Sequence, residues 1–204
     1  MKKLIIIIIL LMNSYSYAQD VSDILIPSAQ AALSYIAANA DLKETAKEVS
    51  QFRAKEYIME YIIGSANNKA IKFETESLAS DNSAGLISIA FNCDEVDERG
   101  LLLAFVGNNR DENGNVGIAY GFKYIPLESA QKLLRTINLV RANNDKYLAA
   151  EENVNNVYIE SDDIKFILYK DGGDQLRVFW NGFEVIWEKV AFDRTKRRLD
   201  KWFK

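Results

Sequence analysis

The sequence predicts an α+β fold, in which an N-terminal helical hairpin is followed by two antiparallel four-strand-plus-helix (ββββα) units, mostly meander. Three observations support this class. Apolar residues recur at helical spacing as far as Ile63, and the period changes to two from residue 69. The predicted strands follow one another through short polar turns, which favours antiparallel pairing. A segment with helical spacing follows each group of four predicted strands.

The first 18 residues have the features of a secretory signal peptide. A positively charged start precedes the unbroken apolar run Leu4–Met12, and Ser16 and Ala18 are the small residues expected at a cleavage site. The run is far shorter than the roughly 20 residues that span a bilayer. We therefore expect cleavage after Ala18 and export to the periplasm or beyond. Residues 19–204 should then form a single α+β domain.

Two helices are predicted next. The alanine-rich segment 28–39 follows Pro27, which suits a helix start. The segment 41–65 alternates charged and apolar positions at helical spacing, and Gly64 suits its end. We expect the two helices to form the hairpin. The predicted apolar face of the second helix consists of Val49, Phe52, Met59, Ile62 and Ile63.

Eight short strands and two further helices complete the prediction. A helix opens at Pro126 after four strands, and its apolar stripe includes Leu134 and Ile137. The Asn-rich segment 143–156 is the candidate linker between possible sub-units. These sub-units would be 19–142 and 155–204. Four more strands follow, and a helix from about 190 to 203 closes the chain.

The two predicted strand groups share a faint similarity. Their last strands contain GFKYI at 121–125 and GFEVI at 182–186, which hints at internal duplication. The order ββββα–ββββα resembles that of PUR-type and Whirly nucleic-acid-binding proteins in element order alone. Against that function, the chain has 25 basic and 29 acidic residues, and losing two lysines with the signal peptide leaves 23 against 29, a net charge of −6. Nucleic-acid binders are usually basic, so we expect no nucleic-acid partner.

The residue types that are missing exclude several kinds of catalysis. The chain has no histidine, which excludes Ser-His-Asp and Cys-His nucleophile activation and imidazole metal sites. Cys93 is the only cysteine, so no intramolecular disulfide can form. Its acidic neighbours Asp94 and Glu95 disfavour a reactive thiolate. We interpret Cys93 as a strand residue packed in a sheet.

The loop GNNRDENGNVG at 107–117 suggests a calcium site. Asn109, Asp111 and Asn113 stand at the first, third and fifth places of an EF-hand-like loop. The twelfth place, where calcium needs a bidentate Glu, is Tyr120. We therefore expect no cofactor apart from weakly bound Ca²⁺ at these three residues.

The same loop also predicts a β-hairpin turn. A two-residue turn at Asn113-Gly114 would place Phe105 opposite Phe122 and Gly107 opposite Tyr120. Tyr120 would then belong to an apolar core face. We favour the hairpin as the main role of the loop.

Two further glycine turns predict a three-stranded meander near the C-terminus. Turns at Gly172-Gly173 and Asn181-Gly182 would place one large apolar set on one face. That set is Ile167, Tyr169, Leu176, Val178, Trp180, Phe183, Val185 and Trp187. The opposite face would carry Phe166, Leu168, Phe179 and Ile186, which is too apolar for a solvent face. We expect it to be covered by a helix of the chain, a second copy, or a partner or ligand.

The C-terminal segment FDRTKRRLDKWFK holds six basic residues among apolar ones. A basic amphipathic helix can lie on an anionic membrane, or it can pack its apolar side on a sheet. We favour packing and expect no membrane contact through this helix. The acidic clusters at 94–98 and 151–152 are interpreted as solvated turns.

Together these patterns favour an exported, soluble, non-enzymatic binding or interaction protein. Its partner would be a protein or a small ligand, and a homo-oligomer is a further expectation. The binding surface would be the semi-apolar face of Phe166, Leu168, Phe179 and Ile186. The alternative is a secreted hydrolase, for instance on glycans, which uses two carboxylates and needs no histidine.

Overall fold

The computed structural model describes most of the chain after residue 43. The chain divides into two units, Met1–Asp41 and Leu42–Lys204, and every described residue belongs to the second. The predicted signal peptide, the first predicted helix at 28–39 and the loop residue Asp111 lie outside the described residues. The described residues are 44, 46–67, 69–80, 85–110 and 113–204.

Helix α1 is wider than an ordinary α-helix over most of its length. It comprises the π-helical stretch Val49–Arg53, the α-helical stretch Ala54–Tyr57 and the π-helical stretch Ile58–Ile63. Gly64, with φ of 71°, ends it where the sequence predicts. Hydrogen bonds from residue i to i+5 rotate successive side chains differently from those of an α-helix.

This geometry changes which residues of α1 face the sheet. Val49, Ala54 and Ile58 are buried. Phe52 is 66% exposed and Met59 is 49% exposed, so the predicted apolar face is wrong at these two positions. The buried residues are separated by five and then four positions, as a π-helical stretch followed by an α-helical one requires.

Eight antiparallel strands, three further α-helices and the short 3₁₀ helix Asp94–Val96 follow α1, so the described part is α+β and ends in a C-terminal helix. None of its helices is long and apolar enough to cross a membrane. The strands are β1 (Glu74–Ser80), β2 (Leu86–Cys93), β3 (Glu98–Arg110), β4 (Val116–Pro126), β5 (Val157–Ser161), β6 (Ile164–Lys170), β7 (Asp174–Trp180) and β8 (Phe183–Ile186). The helices are α2 (Leu127–Asn143), α3 (Asp145–Ala150) and α4 (Lys189–Trp202).

The segment predicted as a linker contributes to the core. Residues 143–156 include α3, whose Leu148 is 1% exposed. Asn155 Nδ2 donates a hydrogen bond to the carbonyl oxygen of Tyr147, at 2.6 Å, and so holds the end of the segment against α3.

The strands form two four-stranded meanders, β1–β4 and β5–β8, within one sheet. Its strand order is β1-β2-β3-β8-β7-β6-β5, and β4 pairs with β3. In the described part the two meanders share one ladder pair, Asn109 of β3 with Phe183 of β8. Around it, Asn109 Nδ2 donates to Asn181 O at 2.7 Å, and Arg110 N donates to Gly182 O at 3.1 Å. These contacts are the joint between the meanders.

A second group of contacts ties β4 to the C-terminal meander. Lys123 Nζ lies 2.6 Å from Asp162 Oδ2 and 2.5 Å from Asp163 Oδ1 in the β5–β6 turn. Trp180 Nε1 donates to Asp163 Oδ2 at 2.9 Å. Lys123 of β4 and Trp180 of β7 therefore both hold the β5–β6 turn in place.

Strands β2 and β3 of the first meander are buried on both faces. One face packs against α1 through Val49, Ala54 and Ile58. The other face packs on the main core, which also contains the inner face of the second meander and residues of α2, α3 and α4. The α1 side of the sheet contributes Ile87, Ile89, Phe91, Cys93, Leu102, Ala104 and Val106.

Helix α4 packs its apolar side on the core, and it begins and ends within one residue of the predicted bounds. Phe192 and Leu199 are fully buried, and Thr195 Oγ1 lies 2.6 Å from Ser88 Oγ in a buried hydrogen bond. Arg198 Nη1 donates to the carbonyl oxygens of Ser77, at 3.3 Å, and Leu78, at 3.1 Å. The helix therefore also covers part of the β1 edge.

The predicted register of the β3–β4 hairpin is wrong by one residue. Phe105 lies opposite Gly121, and Phe122 lies opposite Ala104. The last pair before the loop is Arg110 with Val116, so five residues rather than two separate the strands. A one-residue shift turns side chains to the opposite face. Tyr120 consequently lies on the α1 side of the sheet with Phe122 and Tyr124, where it is 46% exposed and not a core residue.

The β6–β7 register is also wrong by one residue, whereas the β7–β8 register is confirmed. Phe166, not Ile167, lies opposite Val178. The final pair, Lys170 with Asp174, leaves a three-residue turn instead of the predicted two-residue turn. In β7–β8, Trp180 lies opposite Phe183, as the Asn181-Gly182 turn predicts.

The joint between the meanders predicts a specific cost for a methyl group at Gly182. This residue has φ of 80°, and a Cβ there would lie 2.4 Å from Arg110 O. Left-handed backbone costs a residue with a Cβ about 1–2 kcal/mol, and the clash with β3 adds about 1–3 kcal/mol. We expect Gly182→Ala to lower the free energy of unfolding by about 2–5 kcal/mol in urea titrations.

Gly172→Ala is the matched control, because Gly172 has φ of 63° and an added Cβ would meet nothing within 4 Å. It should lower the free energy of unfolding by about 1–2 kcal/mol, from the backbone conformation alone. Equal losses in the two variants would contradict the importance of the joint.

The Lys123 contacts predict a dependence of stability on pH. Burial raises the pKa of Asp163, but hydrogen bonds from Lys123 and Trp180 outweigh it and hold the pKa below its ordinary value. The resulting stabilisation is present above the unfolded-state pKa of about 3.9 and is lost as pH falls through the lower folded-state pKa. Lys123→Met should lower the free energy of unfolding at pH 7 by about 1 kcal/mol, and its stability should fall less below pH 4.

Urea midpoints measured from pH 7 to pH 2 test this prediction. Lys132→Met removes the same charge from an exposed position of α2 and should keep the wild-type pH profile. Parallel profiles for wild type and Lys123→Met would contradict the assignment.

Candidate functional site

The candidate site is the outer face of the C-terminal meander, which points away from the main core. Strand alternation places its side chains between the buried Phe166, Leu168, Val178 and Val185. On β6, β7 and β8 this outer face consists of Lys165, Ile167, Tyr169, Gln175, Arg177, Phe179, Glu184 and Ile186. Lys165 and Glu184 are exposed, and the other six are partly exposed.

The structure brings together only two of the four predicted binding residues. Phe179 and Ile186 lie on the outer face, whereas Phe166 is 0% exposed and Leu168 is 1% exposed in the main core. The cause is the three-residue β6–β7 turn, which shifts β6 by one residue. Ile167 and Tyr169 therefore take the expected places. The sequence alone could have suggested Ile167 and Tyr169 only if the inward-facing and outward-facing residues of β6 were exchanged.

No helix in the described part of the chain packs a buried residue against the outer face. Helices α2, α3 and α4 bury their residues in the main core, on the other side of this meander. Helix α1 buries its residues in the second core, beside β2 and β3. The apolar residues of the outer face are therefore covered by no described helix.

A fixed cation lies within this surface. The Arg177 guanidinium pairs with the Glu184 carboxylate and lies 5.9 Å from the centroid of the Tyr169 ring. Hydrogen bonding to the Tyr169 hydroxyl, together with Glu184, raises the pKa of Arg177 above its ordinary value. Arg177 thus presents a held positive charge between aromatic and aliphatic side chains. Arginine and aromatic residues are enriched where proteins bind partners.

A cavity of about 590 Å³ opens at the end of the outer face nearest to α4. Its walls include three carboxylates, Asp174, Glu184 and Glu188. Lys189 Nζ lies 3.2 Å from Asp174 Oδ2, and Arg177 pairs with Glu184. The volume lies within the range of about 300–1,000 Å³ that small-molecule sites occupy. The cavity can therefore take a polar group of a ligand whose apolar part lies on the outer face.

The basic C-terminal helix presents charge rather than apolar surface. Its Phe192 and Leu199 are buried, and Trp202 and Phe203 pack partly against the main core. A helix lying on a membrane would need its apolar side free, whereas the apolar side of α4 is packed on the core.

A groove of about 470 Å³ runs between α2 and α4. The groove is lined by Asn138, Asp193, Lys196, Arg197, Asp200, Lys201 and Lys204.

The residues of the predicted calcium loop lie in different settings. Asn109 is part of the meander joint through its Nδ2, and Asn113 lies in the exposed loop. Asp111, the charged member of the set, lies outside the described residues. Among the residues that the structure does describe, no group of three or more His, Cys, Asp or Glu could hold a metal ion.

The acidic cluster at 94–98 makes structural hydrogen bonds. Glu95 Oε1 accepts from the backbone N–H of Lys72, at 3.3 Å, and Glu98 Oε2 accepts from the Tyr124 hydroxyl, at 2.8 Å. Burial and Glu98 together raise the pKa of Tyr124 far above its ordinary value. Cys93 is buried, and its Sγ donates to Lys72 O at 3.3 Å.

In comparisons with known proteins, no family model, no curated protein and no solved structure matches the chain. The functional argument therefore depends on the geometry of the outer face and its cavity.

Proposed function

We propose that this chain is an exported, soluble, non-enzymatic binding protein that holds a protein or small ligand on the outer face of its C-terminal meander. The observation that carries the proposal is the set Ile167, Tyr169, Phe179 and Ile186, which belongs to neither core. Isolated exposed apolar residues are ordinary, but four on one sheet face favour an interaction site. Export would follow cleavage after Ala18.

The chemistry of the face indicates what kind of ligand fits. Aliphatic and aromatic side chains from three adjacent strands alternate across the ladders with charged ones, so they offer an apolar contact interrupted by charges. Arg177 and Glu184 lie in its middle and would orient a polar or charged group of the ligand. A partner with an apolar stripe next to an acidic or amide group would satisfy both features.

The finer architecture is also a proposal. The element order of the described part supports two ββββα units, β1–β4 with α2 and β5–β8 with α4, separated by α3. The matching segments at 121–125 and 182–186 both lie on the last strand of their meander or at its start. We propose that the two units arose by duplication.

The double substitution Phe179→Asp/Ile186→Asp tests the binding surface. Both side chains lie outside the cores, so we expect a folded protein with an unchanged far-UV circular dichroism spectrum and melting temperature. Immobilised wild-type protein should retain a partner from an envelope extract of its own cells, and the variant should retain at least tenfold less. Two charges in an apolar contact would be desolvated without partners.

Leu139→Asp provides the matched control, because Leu139 is a 63% exposed apolar residue on α2. It should retain the partner at the wild-type level, as judged by quantitative mass spectrometry. Equal retention by the folded double variant and the wild type would refute the proposal.

A carboxylate-dependent hydrolase is the second candidate, and the cavity with Asp174, Glu184 and Glu188 favours it. Such an enzyme needs two carboxyl groups about 5–10 Å apart, one acting as acid. If the cavity is catalytic, Glu184→Gln should reduce hydrolysis of a responsive glycan at least 100-fold, and Glu160→Gln on β5 should leave it unchanged. If the binding proposal holds, wild type and both variants show the same background rate on every glycan in the panel.

A further inference from the structure

The sheet has three outer strands in the described part, and they are protected to different degrees. Strand β1 has a bulge between Ser77 and Ala79, and Arg198 donates to its backbone carbonyls. Strand β5 is five residues long. Strand β4 is eleven residues long and pairs only with β3 among the described strands, in one unbroken register. A long regular edge is a template for pairing with another strand.

The composition of β4 does not discourage such pairing. Between Val116 and Phe122 the strand has no charged residue. Lys123, the one charge in β4, is held by Asp162 and Asp163 of the same chain. Proteins ordinarily guard exposed edges with lysines, prolines or bulges. The only proline of β4 is Pro126, at the strand's last position.

Exposed apolar side chains continue from β4 across α1. The ring centroids of Tyr120 and Phe122 lie 5.8 Å apart, those of Phe122 and Tyr57 5.1 Å, and those of Tyr57 and Tyr61 5.0 Å. Tyr61 is 72% exposed and Ile118 is 60% exposed. The β4 edge surface comprises Tyr61 of α1 and the exposed apolar residues of β4, Val116, Ile118 and Tyr120.

We propose that the β4 edge surface is a homodimer interface, in which β4 pairs antiparallel with β4 of a second copy across a two-fold axis. Antiparallel neighbours keep equivalent faces on the same side of the sheet. Ile118 and Tyr120 of both copies would therefore lie beside one another, with the two α1 helices flanking the seam. The stretch Val116–Phe122 would bring no like charges together. This interface is separate from the outer face proposed for ligand binding.

The exposed area forms part of what a second copy would bury. With about 150–250 Å² for a large side chain, the exposed fractions on the β4 edge surface amount to roughly 400 Å². A stable interface buries about 800 Å² per partner, and the paired backbones of β4 would contribute to the remainder. A single extended peptide would cover the strand but leave Tyr61 of α1 uncovered.

Sedimentation velocity over about 1–200 μM protein, a range that brackets micromolar dimers, tests the inference together with a matched pair of variants. We expect a reversible dimer for wild type and at least a tenfold higher dissociation constant for Tyr120→Lys, since a two-fold axis places two ammonium groups near each other. Tyr158→Lys is the control, because Tyr158 is 57% exposed on another outer strand, β5. Its dissociation constant should remain within twofold of wild type.

Hydrogen exchange supplies a second measurement that does not depend on a substitution. Amides of the wild-type segment 116–122 should exchange more slowly as protein concentration rises, whereas those of β5 should not change. A wild type that stays monomeric over the whole range would overturn the proposal. Equal weakening by Tyr120→Lys and Tyr158→Lys would also overturn it, as would exchange at 116–122 that is independent of concentration.

Discussion

The structure depends on the burial of both faces of β3. Alternate residues of this thirteen-residue strand enter different cores: Leu101, Leu103 and Phe105 the main core, and Leu102, Ala104 and Val106 the core beneath α1. A strand that is apolar on both faces must be covered on both. This requirement places α1 on one side and, on the other, the helices α2 and α4 with the inner face of the second meander. The ladder pair of Asn109 in β3 with Phe183 in β8 then aligns the two meanders.

The central position of β3 leaves other strands incompletely covered. The second meander buries one face in the main core, and no described helix supplies a layer for its other face. Strand β4 continues past the region that α1 covers, so Tyr120 and Ile118 are exposed although Tyr124 and Phe122 pack against the core under α1. The two uncovered apolar surfaces thus follow from where the covering helices lie, and they occupy different parts of the molecule.

Local patterns in the sequence predict the elements well and the registers poorly. Helical spacing and the Pro126 start identify α2, and the apolar stripe of the C-terminal segment identifies α4. Register fails where turn length is ambiguous, because Gly-Gly and Asn-Gly also occur in loops of three or five residues. The alternation of apolar and polar residues along a strand could not correct the register error in β6, because Phe166 and Leu168 are as apolar as Ile167 and Tyr169. The predicted placement on the outer face is therefore correct for Phe179 and Ile186 and wrong for Phe166 and Leu168, and binding at this face stays a prediction.

The stability of the fold does not account for the apolar residues that remain exposed. Polar side chains at Ile167, Phe179, Ile118 or Tyr120 would leave both cores intact, because none of these residues belongs to either core. The charges around the outer face differ from those around the exposed part of β4, and each surface would suit a different kind of partner. The outer face surrounds a held Arg177–Glu184 pair, which suits a ligand with a polar group to orient. The exposed part of β4 has a regular backbone and no charged side chain of its own, which suits an identical strand.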